Sequence, residues 1–222
     1  MNSTLLKVNF YIFVEIPSYM KAVDLGLSVL WADKNIGANL PESYGEFFSW
    51  GEIRTQTKFD FESYRYFHGD IWNPVITKYN GSDHLQLLQD VDDAASCVLQ
   101  LDWHIPTKDN FEELFTKCSF EWGCRNGIRG YYFIGPNGNR IFLPAAGFME
   151  ITSHRHLGTS GLYWTSELVT SEQTDAWMFL ARSNKFTFQP LGRFLGCPVR
   201  AVCDFPKENG SDTYDVLQLK TI

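Results

Sequence analysis

A few side chains in this sequence have the types and spacing that chemistry requires. His154 and His156 form a close histidine pair. Two apart on a strand, both would face one side, and Glu150 is the nearest acid that could complete a metal site. The stretch from Glu150 to Gly161 reads as a loop, however, and exposed polar loop residues are the favoured reading. Asp92 and Asp93 look like an acid pair, but they stand where a short helix begins, and capping is their simpler role. Of the five cysteines, Cys118 and Cys124 share a spacing with Cys197 and Cys203. Disulfides at either pair remain open, with buried free thiols favoured. There is no CxxC, GxSxG, P-loop, dinucleotide-binding or HExxH pattern. No catalytic residue, metal ligand or cofactor is therefore assigned.

The elements that must position these groups follow from periodicity and turn chemistry. Thr107 after Pro106 is an N-cap, Asp109 suits the first turn, and Phe111, Leu114, Phe115 and Cys118 fall at i, i+3, i+4 and i+7. That pattern predicts a helix with one buried stripe. A shorter helix is expected near Asp92 and Asp93, running through Ala94, Ala95, Cys97 and Val98. Tyr131 to Ile134 and Arg140 to Leu143 flank a Gly-Pro-Asn-Gly-Asn turn and predict a hairpin. Further strands are expected over Leu162 to Ser166, Ala176 to Arg182, Lys185 to Gln189 and Pro198 to Cys203. The fold class expected is α+β: two short helices, a mostly antiparallel twisted sheet and long loops. Residues 1–21 read as an N-terminal strand or leader, with alternation through Val8, Phe10, Ile12 and Val14. Residues 22–205 form the domain and 206–222 a tail.

Bulk properties narrow the function classes. The 222 residues are 44% apolar and 20% charged, as in an ordinary globular chain, while aromatics reach 16% and suit strands and packed loops. Net charge is −7 with no basic run, which argues against nucleic acid. The apolar stretch from Val8 to Ile16 is too short to span a bilayer, so no transmembrane segment is expected. Trp31, Trp50 and Trp103 are expected beneath the loops with each indole N–H on a carbonyl. Arg200, on an apolar strand, needs an acidic partner or a route to solvent.

Several phrases fit a known pattern: Ala22 to Trp31, Asn35-Ile36-Gly37-Ala38, Ser49-Trp50-Gly51-Glu52, Asp92-Asp93-Ala94-Ala95, Trp103 to Thr107, Ile141 to Gly147, Tyr163-Trp164-Thr165-Ser166 and Val199-Arg200-Ala201-Val202. Together they resemble the Fibrobacter succinogenes major paralogous domain family of Bacteroidetes, over about Ala22 to Val202. The resemblance implies a C-type-lectin-like fold, shared with the formylglycine-generating enzyme and with retroelement-diversified binding proteins. It also implies an exported or surface location, although the sequence has no clear leader. By that likeness Cys197 and Cys203 resemble the enzyme's copper cysteines, but residues six apart on an extended strand stand about 20 Å from each other. The Glu-Pro-Asn, Gln-Pro-Asp and Trp-Asn-Asp signatures of calcium-dependent lectins are absent, and Trp72-Asn73-Pro74 reads as a turn.

The function expected is thus a non-catalytic binding module for a protein or glycan. Its proposed face combines the loop from Phe148 to Ser160 with the segment from Ser183 to Leu195, and the ligand-binding candidates are Arg155, His156, Asn184 and Arg193. A metal-dependent oxidase-type enzyme and a structural domain of an appendage or phage particle are the alternatives.

Overall fold

The computed structural model describes residues 20–70, 72–99, 102–182 and 185–206. The alternation expected over Val8 to Val14, the tail from residue 207 onward and Asn184 lie outside the described residues. The described chain is built mostly of small antiparallel sheets, with few helices.

The central layer is a three-stranded sheet of Gly161–Leu168, Asp175–Arg182 and Lys185–Gly192. Its first two strands are buried or half-buried at every position except Arg182, so alternate side chains pack on opposite faces. Leu162, Trp164, Ala176 and Met178 enter one core cluster, with Trp50, Tyr64 and Tyr79. Tyr163, Phe179 and Ala181 enter the other, with Phe111, Leu114 and Phe133. One sheet therefore separates two aromatic cores, and each fully buried ring adds roughly 1.5–3 kcal/mol.

The second core is closed by helix α2 (Lys108–Lys117) and by the sheet of Ser119–Arg125, Ile128–Ile134 and Arg140–Pro144. The Thr107 hydroxyl accepts from the Asn110 amide at 3.2 Å, and the Asn110 side chain accepts from the Thr107 amide at 2.9 Å, a reciprocal cap. Phe111 stacks on Phe179 with centroids 4.4 Å apart. The expected hairpin forms with Ile134 opposite Arg140, and Ser119–Arg125 adds a strand that sequence reasoning missed.

Helix α1 (Ala94–Leu99) follows a 3₁₀ turn at Asp90–Asp92. Three expectations need correction. The strand expected over Pro198 to Cys203 is broken into Cys197–Pro198, which pairs with Phe47–Phe48, and Val202–Cys203, which pairs with Leu30–Trp31 and Trp103–His104. Between them Arg200 is fully buried, with neither an acidic hydrogen-bond partner among the described residues nor a route to water. Its guanidinium donates to the Asn35 side-chain oxygen at 2.9 Å and to the carbonyls of Ala32 (3.1 Å) and Phe142 (2.9 Å). Burial lowers its pKa to about 10, so it remains a cation at neutral pH. It ties three distant segments through carbonyl dipoles rather than an ion pair. Of the tryptophans, Trp50 donates to the Thr165 carbonyl at 2.8 Å as expected, whereas the Trp31 indole N–H finds no acceptor among the described residues.

Gly45 shows why the N-terminal loops carry glycine. Its φ is +76°, and a Cβ there would sit 2.4 Å from the Ile36 carbonyl oxygen.

Candidate ligand-binding site

Three short pieces of chain, with Phe194, surround a groove of about 550 Å³. The first is the hairpin Phe67–Asp70 and Asn73–Ile76. At its tip Asp70 accepts from the amides of Trp72 (2.8 Å) and Asn73 (2.9 Å), an Asx turn that holds Trp72, while Asn73 and Pro74, read as part of the turn, begin the return strand. The turn leaves Trp72 88% exposed, on the groove wall. The second piece is Lys58 to Glu62. Asp60 and Ser63 exchange hydrogen bonds at 3.0 and 3.2 Å, which fixes that turn.

The third piece is the hairpin Phe148–Glu150 and Ser153–Arg155, so the loop expected from Phe148 to Ser160 contains a short ladder. Phe59 and Ile151 exchange backbone hydrogen bonds at 2.8 and 2.7 Å and lock the second and third pieces together. Ile151 sits at φ 55° and is half exposed on the rim. A β-branched residue in this region is strained, and such strain clusters at binding surfaces. Phe59, Phe61 and Phe194 supply apolar wall, while Asp60, Glu62, Asp70 and Glu150 supply carboxylates. Burial pushes the Asp60 carboxyl up, but hydrogen bonds from Lys58 and Ser63 hold it below its ordinary value and keep it ionised. Lys58 is the cation of this wall, paired with Asp60 and 3.9 Å from Glu62.

The anticipated face is only partly assembled. Arg155 is exposed and donates to Glu150 at 2.9 Å on this hairpin. His156 follows, exposed, at φ 56°, with its ring 5.9 Å from Phe148. His154 and His156 do not share a side as expected. The ladder ends at Arg155, and His154 turns inward, its ring on the edges of Phe47 and Tyr44 and its Nε2 on the Ala146 carbonyl.

Arg193 is a correction: it is 0% exposed and cannot lie on an exposed face. Its guanidinium donates to the Tyr64 hydroxyl (2.9 Å) and to the carbonyls of Gln173 (2.9 Å), Lys78 (3.0 Å) and Tyr79 (3.2 Å). Trp50, Tyr64, Tyr66, Phe67 and Tyr79 surround it, with centroids 5.0 to 5.7 Å away. It is a structural cation in the first core.

The acid pair separates into two roles. Asp93 caps α1, accepting from Ala95 (2.7 Å) and Ser96 (3.1 Å), as expected. Asp92 does not cap. It accepts from Tyr66 (2.5 Å) and Tyr79 (2.7 Å) and pairs with Lys78. Burial pushes both carboxyls up. In Asp92 the hydrogen bonds from Lys78, Tyr66 and Tyr79 outweigh it and lower the pKa, whereas Asp93 stays raised. Both are buried, out of reach of a substrate.

The five thiols are free. Cys197 is fully buried, and burial pushes it well above its ordinary pKa, while Cys203 sits in a different sheet with its pKa pushed to about 11 by burial and by Asp102 and Asp204. Metal binding needs thiolate, and both sites disfavour it. No group of three or more metal-ligating side chains occurs among the described residues, and no described helix is long and apolar enough to cross a membrane.

Sequence reasoning missed Trp72 as a site residue. Its signal was a large aromatic set between the turn formers Asp70 and Pro74, a place where packing cannot bury it. No family model, curated protein or solved structure matches this chain.

Proposed function

We propose that this chain is a non-catalytic recognition module with a C-type-lectin-like scaffold, and that it takes a glycan in the groove beside Trp72. The exposed Trp72 indole carries the reading. A flat ring held out on a hydrogen-bonded turn stacks on the apolar face of a sugar ring, and neighbouring carboxylates accept hydrogen bonds from its hydroxyls. Asp60, Glu62, Asp70 and Glu150 provide such acceptors within the same groove. Phe59, Phe61 and Phe194 extend the apolar wall. The likeness of the sequence to the Fibrobacter succinogenes major paralogous domain family supports the scaffold, and with it an exported or surface location.

The oxidase-type alternative needs two thiolates on one metal, which the burial of Cys197 opposes. The test is a glycan microarray probed with the whole chain and with Trp72→Ala, alongside a panel of secreted proteins. Saturable glycan binding that falls at least tenfold in Trp72→Ala, with an unchanged melting temperature, is expected. Binding that survives Trp72→Ala, or that occurs with proteins and with no glycan, overturns the assignment.

A further inference from the structure

The hairpin Phe148–Arg155 has a second hollow, distinct from the groove beside Trp72. It measures about 230 Å³ and lies between Phe148, His156 and one face of the central sheet. Strand alternation puts Leu162, Met178 and Leu180 on that face, and Leu191 joins them, which gives an apolar floor.

Its polar side chains are left without partners by the described fold. Arg182 and Gln189 line it, both exposed, and neither side chain has a hydrogen-bond or ion-pair partner among the described residues. The His156 ring at the rim makes no hydrogen bond with a described residue either. Ser160 also lines the hollow, is 1% exposed, and its hydroxyl has no hydrogen-bond partner among the described residues. A buried hydroxyl without a partner costs about 1–3 kcal/mol, a deficit that a ligand atom can remove. No described carboxylate lines this hollow, although the chain as a whole carries −7.

We propose that this hollow binds a carboxylate carrying a short apolar body. The Arg182 fork fits the two oxygens of a carboxylate side by side, with Gln189 and Ser160 as further donors. The aliphatic floor takes a body of four or so carbons. A single cation suits a monoanion better than a phosphate. The same chemistry comes from a free short-chain acid or from the C-terminal residue of a polypeptide.

Calorimetric titration of the whole chain with 4-methylpentanoate, 4-methylpentanamide, N-acetyl-leucine and N-acetyl-leucinamide tests this. At least tenfold preference for each acid over its amide is expected, lost in Arg182→Gln and retained in Trp72→Ala. Circular dichroism and melting of Arg182→Gln should match the parent, since the side chain is exposed. Tighter binding of 4-methylpentanoate than of N-acetyl-leucine identifies a free acid, and the reverse order a chain terminus. Equal binding of acid and amide, no saturation by 10 mM, or an unchanged preference in Arg182→Gln overturns the proposal. Retention in Trp72→Ala separates this hollow from the groove, so either assignment can fail alone.

Discussion

Replacing Arg193 with alanine should cost about 4 kcal/mol of stability, far above the near-zero cost of trimming an exposed loop arginine. The figure follows from what the side chain leaves behind. The buried Tyr79 carbonyl and Tyr64 hydroxyl and the half-buried carbonyls of Gln173 and Lys78 lose their donor. At about 1 kcal/mol each, the low end for a buried group left unsatisfied, that is about 4 kcal/mol. The emptied volume inside five rings adds about 2 kcal/mol at 24 cal/mol per Å³. Removing a buried cation returns a similar amount of desolvation energy, since this guanidinium is hydrogen-bonded to no described carboxylate. Arg193→Lys keeps the charge but not the planar fork and should lose about half as much. Urea unfolding gives both values, and for a chain of this size 4 kcal/mol corresponds to a fall in Tm of roughly 8–16 °C. A loss below about 1 kcal/mol in Arg193→Ala would refute the caged-cation account and restore Arg193 to the surface.

Asp92→Asn should cost about 2–3 kcal/mol at pH 7, because Lys78, Tyr66 and Tyr79 lose a buried anion. The folded pKa of Asp92 is lowered, so its contribution is complete above its unfolded value near 3.9 and is lost as pH falls through the folded value. Melting from pH 7 to pH 2 should show a shallower acid decline in the variant, and parallel declines contradict the network. Iodoacetamide at pH 7.5 should alkylate the exposed Cys124 first and Cys97 more slowly, because burial and Asp93, Asp92 and Asp90 raise the Cys97 pKa. Modification of native Cys197, read by peptide mass, contradicts its burial. Ile151→Gly should leave stability unchanged or raise it by up to about 1.5 kcal/mol, since glycine relieves about 1–2 kcal/mol of left-handed strain against about 0.5–1 kcal/mol of chain entropy. A loss above about 1 kcal/mol in thermal melts would contradict that backbone reading.

The elements legible in the sequence are those whose signals are local. The Thr107 cap, the stripe through Phe111 and Leu114, and the Gly-Pro-Asn-Gly-Asn turn each specify their structure within a dozen residues. In the central sheet the middle strand is readable from its apolar run Ala176 to Ala181, and the third from the alternation of Phe186 and Phe188 with polar residues. The Pro198 to Cys203 strand misled because Arg200 is anchored by Ala32, Asn35 and Phe142, more than fifty residues away, and those bonds break the ladder. Arg193 misled for the same reason. Its cage comes from residues 50 to 79, a stretch with no periodicity to read. Ser119–Arg125 was missed because glycine and charges mask an alternation carried by Phe120 and Trp122. Of the anticipated face, Arg155 at the end of one hairpin and His156 just after it do stand exposed. The groove beside them depends on the meeting of Phe59 with Ile151 across the fold, which no local pattern encodes.

Amide chemical shifts of the ¹⁵N-labelled chain, followed during titration with the glycan selected on the array, test the recognition assignment most directly. Shifts should concentrate at Trp72, Asp60, Phe61 and Ile151, with the Trp72 indole N–H moving furthest. Shifts gathered instead on α2 and the Ser119–Arg125 strand, with Trp72 unmoved, would contradict it.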